Sequence, residues 1–448
     1  MTFDRIAAFV LDPLDAPDRA IEMAATLLID TLGVAAGAAR MEAGRLARDH
    51  ACRFHGAVRP QDRAILMFDG RPASLPGAAF AAATQIDNLD AHDGYNPTKG
   101  HIGCAVVPAL CAVAEQIPDL TARDALDALV MSYEVSARAA VALHDSVSDY
   151  HTSGAWNALG VAALGARLRG ASPDVLRHAL GIAEYHGPRS QMMREIANPT
   201  MLHDGSGMGA LVGMMAVLLA EEGFEGAPAI TIESAESAAF WADLGTSWTI
   251  ALNYIKPYPI CRWAHAAIDA LDGLLAGAAL THEDVAAIEV RTFAEAAALF
   301  PGMPDTTSQA QYSLAFALAA RLVHGAIGPQ HIQGEALRDP RVADVLSRIT
   351  VTEDSRHSDR FPRGRWSDIS LHLTSGKVLH SGDVHARGGP EAPMSMDEIE
   401  TKFRIMTEAL GAQRQSALWS ARDAMLAPGA KYSELLALIH EPVDDAHV

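Results

Sequence analysis

Small side chains at helical spacing run through most of the first 255 residues, and this pattern constrains the fold more than any other feature of the sequence. The segment APDRAIEMAATLLIDTLGVAAGAA sets Ala, Leu, Ile and Val on a helical period behind Asp15 and Pro17, two helix-start signals. Comparable stretches cover 75–86, 101–115, 121–143, 154–168, 174–184 and 208–222. Faces built from Ala and Gly let helix axes approach closely. The expectation is a tightly packed helical domain rather than a leucine-rich bundle. No fixed-period repeat is evident, so a solenoid is not expected.

The texture changes after Pro259. Residues 264–275 read as a helix, VAAIEVRTF and SRITVTED as short strands, and 309–322 as a helix between them. ISLHLTSGKVLHSGDV alternates apolar and polar residues around Ser375-Gly376, a hairpin signal. From Ser395 the pattern is helical again, and Ser395 three residues before Glu398 spells a capping box. The predicted fold is mainly α: a large all-helical domain from 1–258 and 395–448, with a smaller α+β domain inserted at 259–394.

Charge narrows the function. The 448 residues carry 35 basic and 55 acidic side chains, a formal net charge of -20, which disfavours nucleic-acid binding. An anionic ligand would need a local basic pocket to overcome the overall field. The four cysteines (Cys52, Cys104, Cys111 and Cys261) form no CxxC pair, so no cysteine-held metal is expected and a reducing compartment is. Asp4, Arg5 and Asp12 interrupt any signal-peptide core, and the longest uncharged stretches, 150–166 and 205–220, fall short of a bilayer span. The expected setting is the cytoplasm, without a membrane.

Polar residues gather in four places. QIDNLDAHDGYNPTKGHIGCAVVPAL sets Asp87, Asp90, His92, Asp93, Lys99 and His101 between two apolar helices. Carboxylates beside histidines suit proton transfer, because the surroundings can make one the acid and the other the base. The competing reading is a solvated loop with Asp90 or Asp93 as a helix cap. The spacing matches no standard metal-ligand motif, so no metal is expected. DYHTSGAWNALG puts His151, Thr152 and Ser153 at a helix start, where free N–H groups hold an anion or an ordinary cap sits. HDGSGMG, with His203 and Asp204, opens another helix, its glycines serving either a ligand or helix packing. NYIKPYPICRWAHAAIDAL crowds Lys256, Tyr258, Arg262 and His265 around two prolines at the domain junction, where ligand sites are common. Lys256 is a general base if buried neutral, a carboxylate anchor if charged, or a plain surface lysine in a rigid linker. Tyr312 is by default a helix-core aromatic, with a hydroxyl able to donate a proton.

The order of IDTLGVAAGAA, NLDAHDGYNPTKGHIGCAVVPAL, SYEVSARAAVALH, YHTSGAWNALGVAALGARL, LHDGSGMGALVGMMAVLLAEEGFEG, KPYPICRWAHAAIDA, QAQYSLAFALAA and MSMDEIETKF resembles the MmgE/PrpD family over nearly the whole chain. The resemblance implies a helical domain built from both chain ends, an α+β lid, a site between them and a homodimer. It implies cofactor-independent chemistry at an acidic C–H of a di- or tricarboxylate. Family positions match Asp90, His101, His151, Lys256 and Tyr312 as the reacting set, with Thr152, His203, Tyr258 and Arg262 read as substrate-binding. The family commonly has a lysine just before a Leu-His pair, and here Met201 or a one-residue deletion stands in its place. The expected activity is a lyase working by α-proton abstraction on a small polycarboxylate, with dehydration leading and epimerisation or decarboxylation as alternatives. A catalytically inactive helical scaffold is the alternative of another class.

Overall fold

The computed structural model describes residues 3–277 and 280–443. They fall into two compact units: 3–192 with 203–253 and 403–443, and 193–202 with 254–402. The protein is mainly α, with a few small sheets.

The first unit is helical. Asp18–Ala38, Leu75–Asp87, Gly103–Ala114, Ala122–Ser146, Gly154–Leu168, Pro173–His186 and Ser206–Glu221 match the stretches read from the sequence. Gly103–Ala114 is buried along its whole length, as its lack of charged residues requires. Gly154–Leu168 and Ser206–Glu221 cross at their N-terminal ends, with almost no side chain between them. A Cβ at Gly209 would lie 2.7 Å from the Gly154 carbonyl, and one at Gly154 would run into the Gly205 carbonyl. Packing this close leaves little freedom for either helix to slide. The C-terminal segment returns to the same unit: the Phe403 ring sits against Gly33, and Arg422 donates to Thr26 Oγ1 at 2.9 Å. Asp18–Ala38 is long and apolar enough to cross a membrane, yet 83% of its most apolar window is buried inside the protein.

The second unit holds the largest sheet. Val285–Thr292 pairs in parallel with Ile349–Glu353 and antiparallel with Trp366–Leu373, which pairs with Val378–His380 and Val384–His385. The parallel pair needs a crossover, and residues 294–346 supply it as short helices. Gly376 closes the hairpin at φ 86°, a conformation that favours glycine. Helix His265–Leu275 packs on the sheet. The capping box forms as read: Ser395 N–H donates to Glu398 Oε2 at 2.8 Å, and Glu398 N–H to Ser395 Oγ at 3.3 Å. One expectation needs correction. The helix read over 309–322 is two, Thr307–Gln311 and Leu314–His324, because Ser313 starts a new helix by accepting from Phe316 N–H at 3.2 Å. Tyr312 therefore sits at a helix break instead of within a helix.

Candidate active site

The loop between Leu75–Asp87 and Gly103–Ala114 is not a solvated loop, and neither Asp90 nor Asp93 caps the helix that follows. Asp87, Asp90, His92, Asp93 and His101 are all buried. Desolvating that many ionisable groups is costly unless each is held. Asp90 and Lys99 adopt φ 54°, a left-handed backbone that non-glycine residues rarely take outside constrained sites.

His101 is fixed on three sides. Its backbone N–H donates to Ser153 Oγ at 3.0 Å. Its Nδ1 lies 2.6 Å from the Asp93 carbonyl, an acceptor only, so the Nδ1 proton is committed there. Its Nε2 lies 3.5 Å from Asp204 Oδ2. Ser153 N–H donates to Asp204 Oδ1 at 3.3 Å, which closes a ring of His101, Ser153 and Asp204. The His92 ring meets His101 edge-on at 4.5 Å, and His92 Nε2 is 3.7 Å from Asp87 Oδ1. Asp87 Oδ2 accepts Ser206 N–H at 3.0 Å. Burial, and after it the Asp204 charge, push the Asp87 carboxyl well above the usual carboxylate range. Burial likewise raises the Cys104 thiol, which donates to Ser206 Oγ at 3.2 Å, so this cysteine is no nucleophile.

Two helix starts that the sequence offered to a ligand are thus occupied by the protein itself. Asp204 takes the Ser153 N–H, and Asp87 takes the Ser206 N–H. The His203 backbone, at φ 45°, and Gly205, at φ 67°, turn the chain sharply on either side of Asp204. The sequence reading named Asp204 and Asp87 within their polar segments but assigned neither a role in the site. Each stands one or two positions before a helix or at a helix end, where an acidic residue reads as ordinary.

His151 pairs through its backbone with Gln191, and its N–H donates to His144 Nε2 at 3.3 Å. Burial, then the Lys99 charge, bring His144 down to about 4, so it stays neutral and accepts that bond. His151 Nδ1 and Thr152 Oγ1 are buried with no hydrogen-bond partner among the described residues, which leaves both for a ligand. His203 is buried in the same unit.

The remaining candidates belong to the second unit. Lys256 is fully buried, which overturns the reading of a surface linker lysine. Tyr258 donates to Asp272 at 2.9 Å and Asp269 at 3.1 Å and accepts from Arg387 at 3.0 Å, so its hydroxyl serves the protein. Arg262 donates to the carbonyls of Arg387 at 2.5 Å and Ala386 at 2.9 Å and lies over the Tyr254 ring. Burial pulls Arg262 down to about 10. Burial, then the Arg262 and Lys256 charges, hold the His265 imidazole well below its ordinary range. Tyr312 is buried at its helix break.

Two sets of groups near His92 have metal-ligand chemistry, Asp90–His92–His101 and Asp87–His92–Cys104, with the donor atoms of each set within 4.8 Å of one another. The sequence spacing did not point to them. A third set, His357–Asp368–Asp383, is spanned by Arg356, which donates to Asp368 at 2.5 Å and Asp383 at 2.7 Å.

The MmgE/PrpD N-terminal domain matches residues 4–242, and the MmgE/PrpD C-terminal domain matches 258–425. The chain belongs to the MmgE/PrpD family. Among relatives, it is 24% identical over 410 residues to cis-aconitate decarboxylase of Homo sapiens, spanning 86% of this chain and 83% of that protein. It is 23% identical to the cis-aconitate decarboxylase-like protein oryM of Aspergillus oryzae, over 96% of this chain and 95% of that one. Cis-aconitate decarboxylase of Aspergillus terreus is 22% identical, over 83% and 81% respectively. Within this MmgE/PrpD chain, the buried histidine–carboxylate cluster lies in the part matched by the N-terminal domain, and Lys256 stands just before the C-terminal match.

Proposed function

We propose that this protein is a lyase acting on a small polycarboxylate, with cis-aconitate as the first substrate to test. The observation that carries the reading is the buried His101, whose Nδ1 proton is committed to a carbonyl and whose Nε2 faces a carboxylate. Such a group exchanges one proton at one nitrogen. Decarboxylation breaks a C–CO2 bond, leaves the electron pair on carbon beside the remaining carboxylates, and ends when a proton is delivered to carbon. Dehydration removes a proton α to a carboxylate and protonates the departing hydroxyl. Both routes pass through a carbanion-like state that needs a proton-exchanging group and nearby cations. His101 and His151 are the proton-exchanging candidates, Lys256 the cation, and Tyr312 and Asp90 auxiliary groups. The names of the relatives favour decarboxylation over dehydration. On this reading the enzyme works without cofactor, as a cytoplasmic homodimer.

The test is turnover of cis-aconitate, citrate, methylcitrate, itaconate and tartrate, with and without exhaustive chelation. Chelator-resistant turnover of at least one acid is the expected result. Binding without turnover would leave a scaffold. Loss on chelation, restored by one divalent ion, would instead give Asp90–His92–His101 a metal.

Met201 bears on which acid is preferred. It lies about half-exposed in a turn, where the family lysine would stand. If this position faces the substrate, a lysine there would contribute a charge-assisted contact of about 1.5–3 kcal/mol to a carboxylate, and a thioether contributes none. The unmodified protein should therefore turn over methylcitrate weakly and bind dicarboxylates better. Met201→Lys should raise kcat/KM for tricarboxylates over dicarboxylates by about 10-fold or more. Efficient dehydration of methylcitrate by the unmodified protein would defeat this.

A further inference from the structure

We infer that His144 is the positioning residue of His151: its Nε2 accepts the His151 N–H, which the neighbouring residues 190–192 cannot take, and this bond sets where His151 and Thr152 present their side chains. The inference rests on the functional reading above only for its catalytic meaning; the hydrogen-bond arrangement stands on geometry.

The segment around His151 pairs antiparallel with residues 190–192. Met192 N–H donates to the Tyr150 carbonyl at 2.8 Å, Thr152 N–H donates to the Ser190 carbonyl at 2.9 Å, and His151 stands opposite Gln191. In such a pair, successive backbone groups point to alternate sides. Tyr150 and Thr152 bond toward 190–192, so the His151 N–H points away from them. It meets His144 Nε2 at 3.3 Å. His144 lies in the last turn of Ala122–Ser146, a 25-residue helix buried along much of its length, so the acceptor sits on a fixed element. A ring nitrogen that accepts a hydrogen bond carries no proton, and the neutral His144 imidazole is therefore the Nδ1–H form. Beyond the backbone, His151 Nδ1 and Thr152 Oγ1 are buried without hydrogen-bond partners among the described residues. No bond at either atom fixes these two side chains, so the backbone bonds on both edges of the segment must place them.

The groups that face His144 keep it an acceptor. The Tyr150 ring meets it edge-on at 5.6 Å, and the Tyr150 hydroxyl donates to the Lys99 carbonyl. Lys99 Nζ lies over the Tyr150 ring, 4.3 Å from its centre. Burial, then this cation, then the neighbouring His151, all act against a charge on His144. An imidazolium has a proton on both nitrogens and cannot accept, so the bond to His151 exists only while His144 is neutral. His144 Nδ1 has no hydrogen-bond partner among the described residues, which leaves Nε2 to make the bond that orients the ring. The same contacts link two parts of the site. Lys99, at φ 54°, stands two residues before His101, and through Tyr150 and His144 it ties the His101 loop to the segment that carries His151.

The experiment compares wild type, His144→Phe, His144→Gln, His151→Ala and the double variant His144→Phe/His151→Ala, each as the whole protein. Phenylalanine keeps the ring and offers no acceptor, whereas the glutamine carbonyl can stand in for Nε2. Amide hydrogen exchange is read first. The His151 amide should exchange about 10-fold faster or more in His144→Phe, the scale of one lost hydrogen bond. The Thr152 and Met192 amides, bonded across to each other's segment, should keep their wild-type rates, and His144→Gln should restore that of His151. Turnover of the acid the protein uses best is read next. In His144→Phe, kcat/KM should fall by about 10-fold or more, as for a displaced reacting group. His144→Gln should stay near wild type. In the His151→Ala background, His144→Phe should cost nothing further, because it acts through His151. Equal losses in both backgrounds would make His144 a packing residue and overturn the proposal, as would an unchanged His151 amide in His144→Phe. Should His144→Phe fail to fold, wild type and His144→Gln still decide it. Nitrogen-15 NMR must show the wild-type His144 imidazole in its Nδ1–H form, and the Nε2–H form would overturn the proposal. A His151 amide that loses protection in a protein with no lyase turnover sinks the functional reading and leaves the hydrogen-bond arrangement standing. Wild-type turnover in His144→Phe does the reverse.

Discussion

His101→Gln is expected to lower kcat by about 100-fold or more, the lower range for losing a general acid–base group. Glutamine is the informative replacement. Its amide can donate to the Asp93 carbonyl as Nδ1 does, and it keeps most of the buried volume. It exchanges no proton near neutral pH. The melting temperature should therefore stay close to wild type while turnover collapses. Full activity would remove His101 from the chemistry. Equal losses of turnover and melting temperature would assign it a packing role. His151→Ala is the companion measurement. Its Nδ1 makes no hydrogen bond within the described protein, so its loss should fall on KM or kcat and spare stability.

Lys256→Met is expected to cut kcat/KM by about 100-fold or more, the scale for removing a key electrostatic contact to developing negative charge. The sequence left a plain linker lysine as the competing reading to a base or carboxylate anchor, and burial removes that competitor. Because the side chain is fully buried, alanine would also open a cavity, and methionine separates charge from volume. A melting curve run beside the kinetics keeps loss of the charge apart from loss of the fold. One further readout follows from sign. Lys256 is one of the charges that hold His265 below its ordinary range, so His265 should titrate at higher pH in the variant. A folded variant with wild-type kcat/KM would exclude Lys256 from binding and chemistry alike.

Much of the helical unit was legible because its helices are long and apolar at a helical period. Gly154–Leu168 is found with the limits read from the sequence. The strands and the hairpin at Gly376 were legible for the same reason, a period of two ended by a turn signal. Glu42–Phe54 went unread because its buried face is Ala, Gly and Arg48, leaving few large apolar residues to show a period. The break at Tyr312 escaped because Ser313 looks like any small helical residue until its hydroxyl is seen to cap the next helix. In the site, His101 and Asp90 stood out as polar residues between apolar helices. Asp87 and Asp204 were noted in their polar segments without a role, since their roles come from two helix starts that meet only in three dimensions. Likewise, nothing in the spacing showed that Tyr258 and Arg262 would spend their hydrogen bonds on Asp269, Asp272 and the 386–387 carbonyls.

The crossing of Gly154–Leu168 with Ser206–Glu221 has a mechanical consequence. The two carboxylates that flank the histidines are each tied to the first amides of one of these helices. A helix moves along its axis as a rod, about 1.5 Å for each residue of slip. Any slip would carry one carboxylate away from its histidine by a distance larger than the tolerance of a hydrogen bond. The interlocked glycines act as a detent against that motion, with Gly213 pressed on the Ala158 carbonyl and Val161 well inside the helix pair. A methyl group added at Gly213, in the middle of helix Ser206–Glu221, would thus detune proton exchange at its N-terminal end, whereas exposed Met208 and Met215 on the same helix are free to vary.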